Sequence, residues 1–115
     1  MKFAAVVLIV PEEDENRAVD IVKQAGATGI TILKGKGLRH NERKTFLGLG
    51  LERKESLLLC VVEKQLAMRI LRSVKQQMEI DLSGSGLAFS LPLDSVVGIG
   101  AEQMLTFHRN VEEEL

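Results

Sequence analysis

Gly26-Ala27-Thr28-Gly29-Ile30-Thr31-Ile32-Leu33-Lys34-Gly35-Lys36-Gly37 is the stretch from which the fold is read. Gly26 follows the last residue of a helical apolar pattern, at the C′ position where a left-handed backbone costs glycine least. Gly29–Lys34 carries Ile30, Thr31 and Ile32, a β-prone segment that predicts a short strand. Gly35-Lys36-Gly37 then opens a basic loop flanked by glycine, an arrangement suited to holding an anion. A helix end, a strand and a loop start are thus compressed into one junction.

Toward the N-terminus, Ala18, Val22 and Ala25 repeat at helical spacing with Val19 and Ile21 beside them. The acidic run Glu12, Glu13, Asp14 and Glu15 falls in the first turn, where it favours the positive end of the helix dipole. Before it, Lys2–Val10 is an apolar, β-branched run ended by Pro11, which reads as a buried strand. Lys2 is the only basic residue at its start, and the run is too short to span a bilayer, so no direct membrane insertion is expected.

Toward the C-terminus, 35–54 reads as a long loop in which Gly48 and Gly50 join the first two glycines. Seven of the fifteen Lys and Arg residues lie between Lys34 and Lys54, and Thr45 is the one hydroxyl residue inside the loop. Ordering such a loop costs about 1–2 kcal/mol per residue in backbone entropy, so it is expected to be mobile without a partner. Glu55–Val62 restores a strand, and Lys64–Gln77 is amphipathic through Ala67, Ile70, Leu71, Val74 and Met78. A Ser83–Gly86 turn leads to a strand over Leu87–Leu91, ended by Pro92, and an apolar patch follows over Asp94–Gly100. The order predicts an α+β, ferredoxin-like βαββαβ sandwich over 1–100, its antiparallel sheet carrying both helices on one face. Residues 101–115 form a tail expected to fray.

Composition narrows the function classes. A chain of 115 residues with a formal net charge of −1 and 45% hydrophobic residues is one globular domain without the basic excess of a nucleic-acid binder. Tyr and Trp are absent and the Ser56–Val62 strand has no aromatic residue, which excludes base stacking on the sheet. Cys60, His40 and His108 are scattered singles, so no metal site is predicted, and a lone Cys is expected as a small core residue of a cytoplasmic protein. No nucleophile–base pair stands out, and no catalysis is expected.

Taken together, the motifs resemble the PII-type nitrogen-regulatory signalling proteins and their divergent PII-like relatives. Gly26, Gly29, Ile30, Thr31 and Ile32 match that family's Gly-x-x-Gly-Met-Thr-Val, and Gly35-Lys36-Gly37 resembles the Gly-x-Gly where its long T-loop departs. Gly84-Ser85-Gly86-Leu87-Ala88-Phe89 is similar to the B-loop Gly-Asp-Gly-Lys-Ile-Phe, and Val96-Val97-Gly98-Ile99-Gly100 to Val-Ile-Arg-Ile-Arg. The resemblance implies a homotrimer with adenine nucleotides in the clefts between subunits. It also implies a loop that regulates a protein partner, a membrane transporter or an enzyme.

On that reading Thr31, Gly35, Lys36, Gly37, Arg39, Gly84, Ser85, Gly86 and Leu87 are the candidate ligand-binding residues. Arg39, His40, Arg43, Lys44, Thr45 and Phe46 are the candidate partner-binding loop residues. The family's B-loop lysine is Leu87 here, and its two C-terminal arginines are Gly98 and Gly100. At about 1.5–3 kcal/mol for each charged hydrogen bond, losing three removes about 4.5–9 kcal/mol, which argues against the usual ATP mode. The ligand then either draws phosphate contacts from Lys36, Arg39, Arg43, Lys44, Arg53 or Lys54, or carries less charge.

Two other classes share the element order. An ACT-like module that binds an amino acid would place a glycine-containing loop after the first strand, where this chain has Pro11-Glu12-Glu13. An acylphosphatase-like hydrolase would need an arginine phosphate cradle there, and Arg17 is already inside the first helix.

Overall fold

The structure, a computed structural model, describes residues 2–38, 45–46, 49–50, 53–80 and 86–99. Strand β1 (Phe3–Pro11) leads through a single 3-10 turn (Glu12–Asp14) into helix α1 (Glu15–Ala25). Strand β2 (Thr31–Gly37), the short strands β3 (Thr45–Phe46) and β4 (Leu49–Gly50), and strand β5 (Arg53–Glu63) follow. Helix α2 (Lys64–Met78) and strand β6 (Leu87–Leu93) complete the order. The main sheet runs β2-β5-β1-β6, each neighbour antiparallel to the next, with β3 and β4 paired separately. Each βαβ unit is therefore split by a strand of the other, which is the predicted ferredoxin-like plan.

Local chemistry sets the element ends. Gly26 closes α1 at φ +123°, a conformation that L side chains rarely adopt, and its N–H bonds the Lys23 carbonyl. Glu63 starts α2: its carboxylate accepts the Gln65 N–H at 2.8 Å and satisfies one free donor of the first turn. At the other end of α2, Arg17 of α1 donates to the Gln77 carbonyl. Arg17 is thus a helix cap, consistent with its exclusion as a phosphate ligand.

The register divides the sheet into two faces. Val6, Leu8 and Val10 of β1 lie opposite Cys60, Leu58 and Ser56 of β5, and all are buried beneath Ala18, Ile21, Val22 and Ala25 of α1 and Leu66, Ala67, Ile70 and Val74 of α2. Cys60 is a core residue as expected, and burial pushes its thiol up to about 11. The opposite face is also apolar. Its rows read Thr31-Leu59-Val7-Phe89 and Leu33-Leu57-Ile9-Leu87 across the four strands, and Leu33, Leu87 and Leu91 are each more than half exposed. The unbroken apolar runs in β1 and β5 thus supply the core with one set of residues and leave the other uncovered in a single chain.

Three expected boundaries are corrected. The second strand begins at Thr31 and runs to Gly37, and the third runs from Arg53 to Glu63, so Gly35, Lys36 and Gly37 pair with Glu55, Lys54 and Arg53. Neither Gly35 nor Gly37 has a positive φ, and a ladder of backbone bonds continues through glycine when the backbone stays extended. The last strand passes through Pro92 to Leu93 because β6 is an edge strand, where a missing N–H costs no ladder bond on the outer side. Within the expected loop, the Thr45–Phe46 backbone pairs with Leu49–Gly50. Arg39, His40, Arg43, Lys44, Gly84, Ser85, Gly100 and the 101–115 tail lie outside the described residues.

Candidate functional site

The candidate residues fall at two ends of the sheet. At one end Gly35 and Lys36 line a cavity of about 220 Å³ together with Ile9, Leu33, Lys34, Glu55, Ser56 and Leu57. Gly86 and Leu87 lie at the same end, since Leu87 pairs with Ile9 and a Cβ on Gly86 would sit 2.9 Å from the Ile9 carbonyl oxygen. They border a second, largely apolar cavity of about 290 Å³, walled by Leu71, Val74 and Ile80 with Lys75 at its edge. Thr31 is at the other end, four residues and about 13 Å back along β2. It lines a groove of about 270 Å³ with Gly29, Leu59, Val61, Val96, Val97, Gly98 and Ile99.

Thr31 and the Gly35 junction therefore do not share a pocket within one chain. A small ligand reaching both needs the Thr31 end of one subunit against the Gly35 end of another.

The glycines of the junction have different physical reasons. A Cβ on Gly37 would run into the Glu55 carboxylate, so this glycine makes room for an acidic group. That carboxylate disfavours an anion at Gly37 itself. At Gly35 nothing lies within 4 Å of where a Cβ would go, and the backbone is not left-handed. No group among the described residues demands a glycine there, which leaves close approach from outside them as its use.

Sequence reasoning missed the polar cluster beneath the junction. Ser56, buried in β5, donates to Glu15 Oε1 at 2.6 Å. Lys34, its cross-strand partner in β2, reaches the same carboxylate oxygen at 2.5 Å and Glu12 Oε1 at 3.8 Å. The acidic run thus ties the start of α1 to the strand that leads into the loop, a role that only the β2–β5 register could have shown. The hydrogen bond from Lys34, then that from Ser56, hold the Glu15 carboxyl below the usual carboxylate range. The bond to Glu15 likewise raises Lys34 above the usual lysine range.

The sign of the pH effect follows. A depressed folded-state carboxyl stabilises above its unfolded value and loses that contribution as pH falls through the folded value. A raised lysine stabilises below its unfolded value and loses its contribution as pH rises through the folded one. The pair therefore stabilises the fold across neutral pH and fades at both extremes. Glu15→Gln is expected to lower urea stability at pH 7, with the difference from the parent shrinking to nothing as pH falls below the carboxylate range.

Phosphate cations are sparse where the family would place them. Leu87 is an exposed apolar side chain, Gly98 sits at φ +108°, and the groove around Thr31 has no charged side chain among its lining residues. The groove offers a hydroxyl, backbone groups and apolar walls, which fit a base or sugar and not a triphosphate. Lys34 and Lys36 are the cations at the junction cavity, and each has an interaction of its own, that of Lys34 being with Glu15.

Comparison with known proteins agrees with the topology. The profile of the family described as nitrogen regulatory protein P-II matches residues 3–103. No curated protein sequence matches the chain. Among solved structures, CPII from Thiomonas intermedia K12, a nitrogen regulatory PII-like protein bound to ADP, AMP and bicarbonate, is 19% identical with a TM-score of 0.62, over 86% of this chain and 98% of that one. The Bacillus subtilis GlnK–ATP complex is 14% identical with a TM-score of 0.61, over 84% and 85%. CutA1 from Pyrococcus horikoshii is 14% identical with a TM-score of 0.66, over 93% and 96%.

Proposed function

Since the chain belongs to the nitrogen regulatory protein P-II family, we propose that it is a PII-like signalling protein, a cytoplasmic homotrimer that senses a small anionic ligand and regulates a transporter or an enzyme through its loop. It is a regulator and catalyses no reaction. The observation that carries the reading is the uncovered apolar sheet face joined to split candidate sites. Packing three such faces together buries Val7, Leu59 and Phe89 and brings the Thr31 groove of one subunit toward the Gly35 junction of the next. The ACT-like alternative loses its support with the family match, which spans nearly the whole described domain.

The ligand on this reading is an adenine nucleotide held without the family's usual phosphate cations. Thr31 and the backbone around Gly29 and Gly98 would receive its base or sugar, and Lys36 beside Gly35 its phosphate, with Gly86 and Leu87 closing the same end. The bound group would supply charge and shape, and the chain's part is to bind, orient and answer through the 35–54 segment. A ligand with one or two phosphates suits this cation supply better than one with three. CPII, solved with ADP and AMP, lends support by analogy.

Calorimetric titration of AMP, ADP and ATP into the parent and into Gly35→Val tests this. Gly35→Val is expected to change folding stability by no more than about 1 kcal/mol, because the strand position is open and glycine is a poor strand residue. It should nonetheless abolish nucleotide binding by filling the approach. Unchanged binding in the variant, or no heat from any of the three nucleotides with the parent, would remove the nucleotide reading.

A further inference from the structure

The cavity between α2 and the start of β6 lies on the helix side of the sheet, where Ala88 pairs with the buried Leu8. Leu71, Val74, Ile80, Gly86 and Ala88 wall its roughly 290 Å³, and Lys75 stands at the edge. Val74 and Ile80 are buried in the core, whereas Leu71 and Ala88 pack against it half-buried, so the cavity leads from the core to the surface. Gly86 shapes one wall: a Cβ there would meet Ile80 Cγ2 at 3.1 Å, and only glycine lets the backbone come so close. Close-packed interiors leave few voids larger than one water, whose share of liquid volume is about 30 Å³, so this space exceeds a packing defect. Water fills it poorly, because a buried water needs polar partners and the walls are aliphatic side chains. Displacing such loosely held water by an apolar group is favourable.

Lys75 is the charged residue of this lining. It follows Leu71 by about one helical turn on the same ridge and is exposed at the mouth. Glu79, one further turn on, would be its helical ion-pair partner, but Glu79 ends α2 in left-handed backbone at φ +52°. Among the described residues Lys75 makes no salt bridge. We propose that this cavity binds a short aliphatic monocarboxylate, its chain among Leu71, Val74, Ile80 and Ala88 and its carboxylate at Lys75. The single cation suits one carboxylate and repels an ammonium group of the same length. A nucleotide does not suit these walls, which offer no partner to the polar edge of a base, so the site is separate from the one proposed at Thr31 and Gly35.

Hexanoate, 1-hexanol and hexylammonium share a chain and differ in the head group, so amide chemical shifts of the full chain titrated with each test the assignment. Hexanoate is expected to shift the amides of Leu71–Lys75, Ile80 and Gly86–Ala88 with a millimolar Kd, hexanol to shift them several-fold more weakly, and hexylammonium to leave them in place. Lys75→Met keeps an apolar stem without the ammonium, and should bring hexanoate down to the level of hexanol while leaving hexanol unchanged. Ala88→Ile places a β-branched side chain, favourable in a strand, into the cavity and should abolish the response to both, with circular dichroism checking the fold. Shifts confined to the open sheet face, no shifts at all, an equal response to the three head groups, a preference for hexanoate that survives Lys75→Met, or hexanoate binding that survives Ala88→Ile in a folded chain would overturn the proposal. None of these readouts depends on nucleotide binding.

Discussion

Val7→Lys is expected to convert the proposed trimer to a monomer while leaving the subunit folded. Val7 lies at the centre of the apolar sheet face, in the row Thr31-Leu59-Val7-Phe89, and it points away from the core beneath the helices. In an isolated subunit a lysine there keeps its ammonium in water, so the fold tolerates it at small cost. In a trimer closed around this face, three ammonium groups would be brought together without partners. The effective penalty for burying an unpaired ion is several kcal/mol. Each 1.4 kcal/mol is a factor of ten in association, so the assembly constant should fall by several decades. Light scattering reads the mass, and circular dichroism reads the fold. A trimer that survives the substitution would place the subunit interface elsewhere.

Leu58→Ala should destabilise the subunit itself by about 2–5 kcal/mol. Leu58 is fully buried, opposite Leu8 in the β1–β5 ladder, and it packs in the cluster formed with Val6, Cys60, Ile70 and Val74. Truncating it removes the transfer free energy of the lost atoms and leaves a cavity that two rigid central strands cannot collapse. Against a typical total of about 5–15 kcal/mol for a domain, that is a large fraction. A drop in melting temperature of roughly 8–20 °C should follow. Leu57→Ala, one residue along but on the open face, is expected to cost much less in a monomer and to act mainly on assembly. Calorimetry on both variants separates the two faces, and equal losses would contradict the division of the sheet.

The fold was legible because its signals are local. The helical spacing of Ala18, Val22 and Ala25, the glycine stop at Gly26, and the apolar runs on either side each specify one element, and the structure has them in that order. Its strand ends were less legible. Gly35-Lys36-Gly37 reads as a loop by composition, yet it continues a ladder with Arg53–Glu55 because pairing depends on backbone geometry that glycine permits. Pro92 looks like a stop and is not one, since only the topology reveals that β6 is an edge.

The candidate site was partly legible. Thr31 and Gly35 were singled out in sequence, but their separation along one strand into different cavities required the register. The Glu15–Ser56–Lys34 cluster could not have been read, because its members are distant in sequence and each has an ordinary surface explanation. Glu55 over Gly37 is similar: the glycine was visible, whereas the acidic group that it accommodates was not.

Sedimentation equilibrium of the unmodified chain at micromolar concentration tests the central claim most directly. A PII-like trimer should sediment as a single species of roughly three times the 12.7 kDa chain mass, and should hold that mass across salt conditions because apolar packing supports it. A stable species of 12.7 kDa would contradict the claim, leaving the apolar face uncovered and the Thr31 and Gly35 sites unable to act on one ligand.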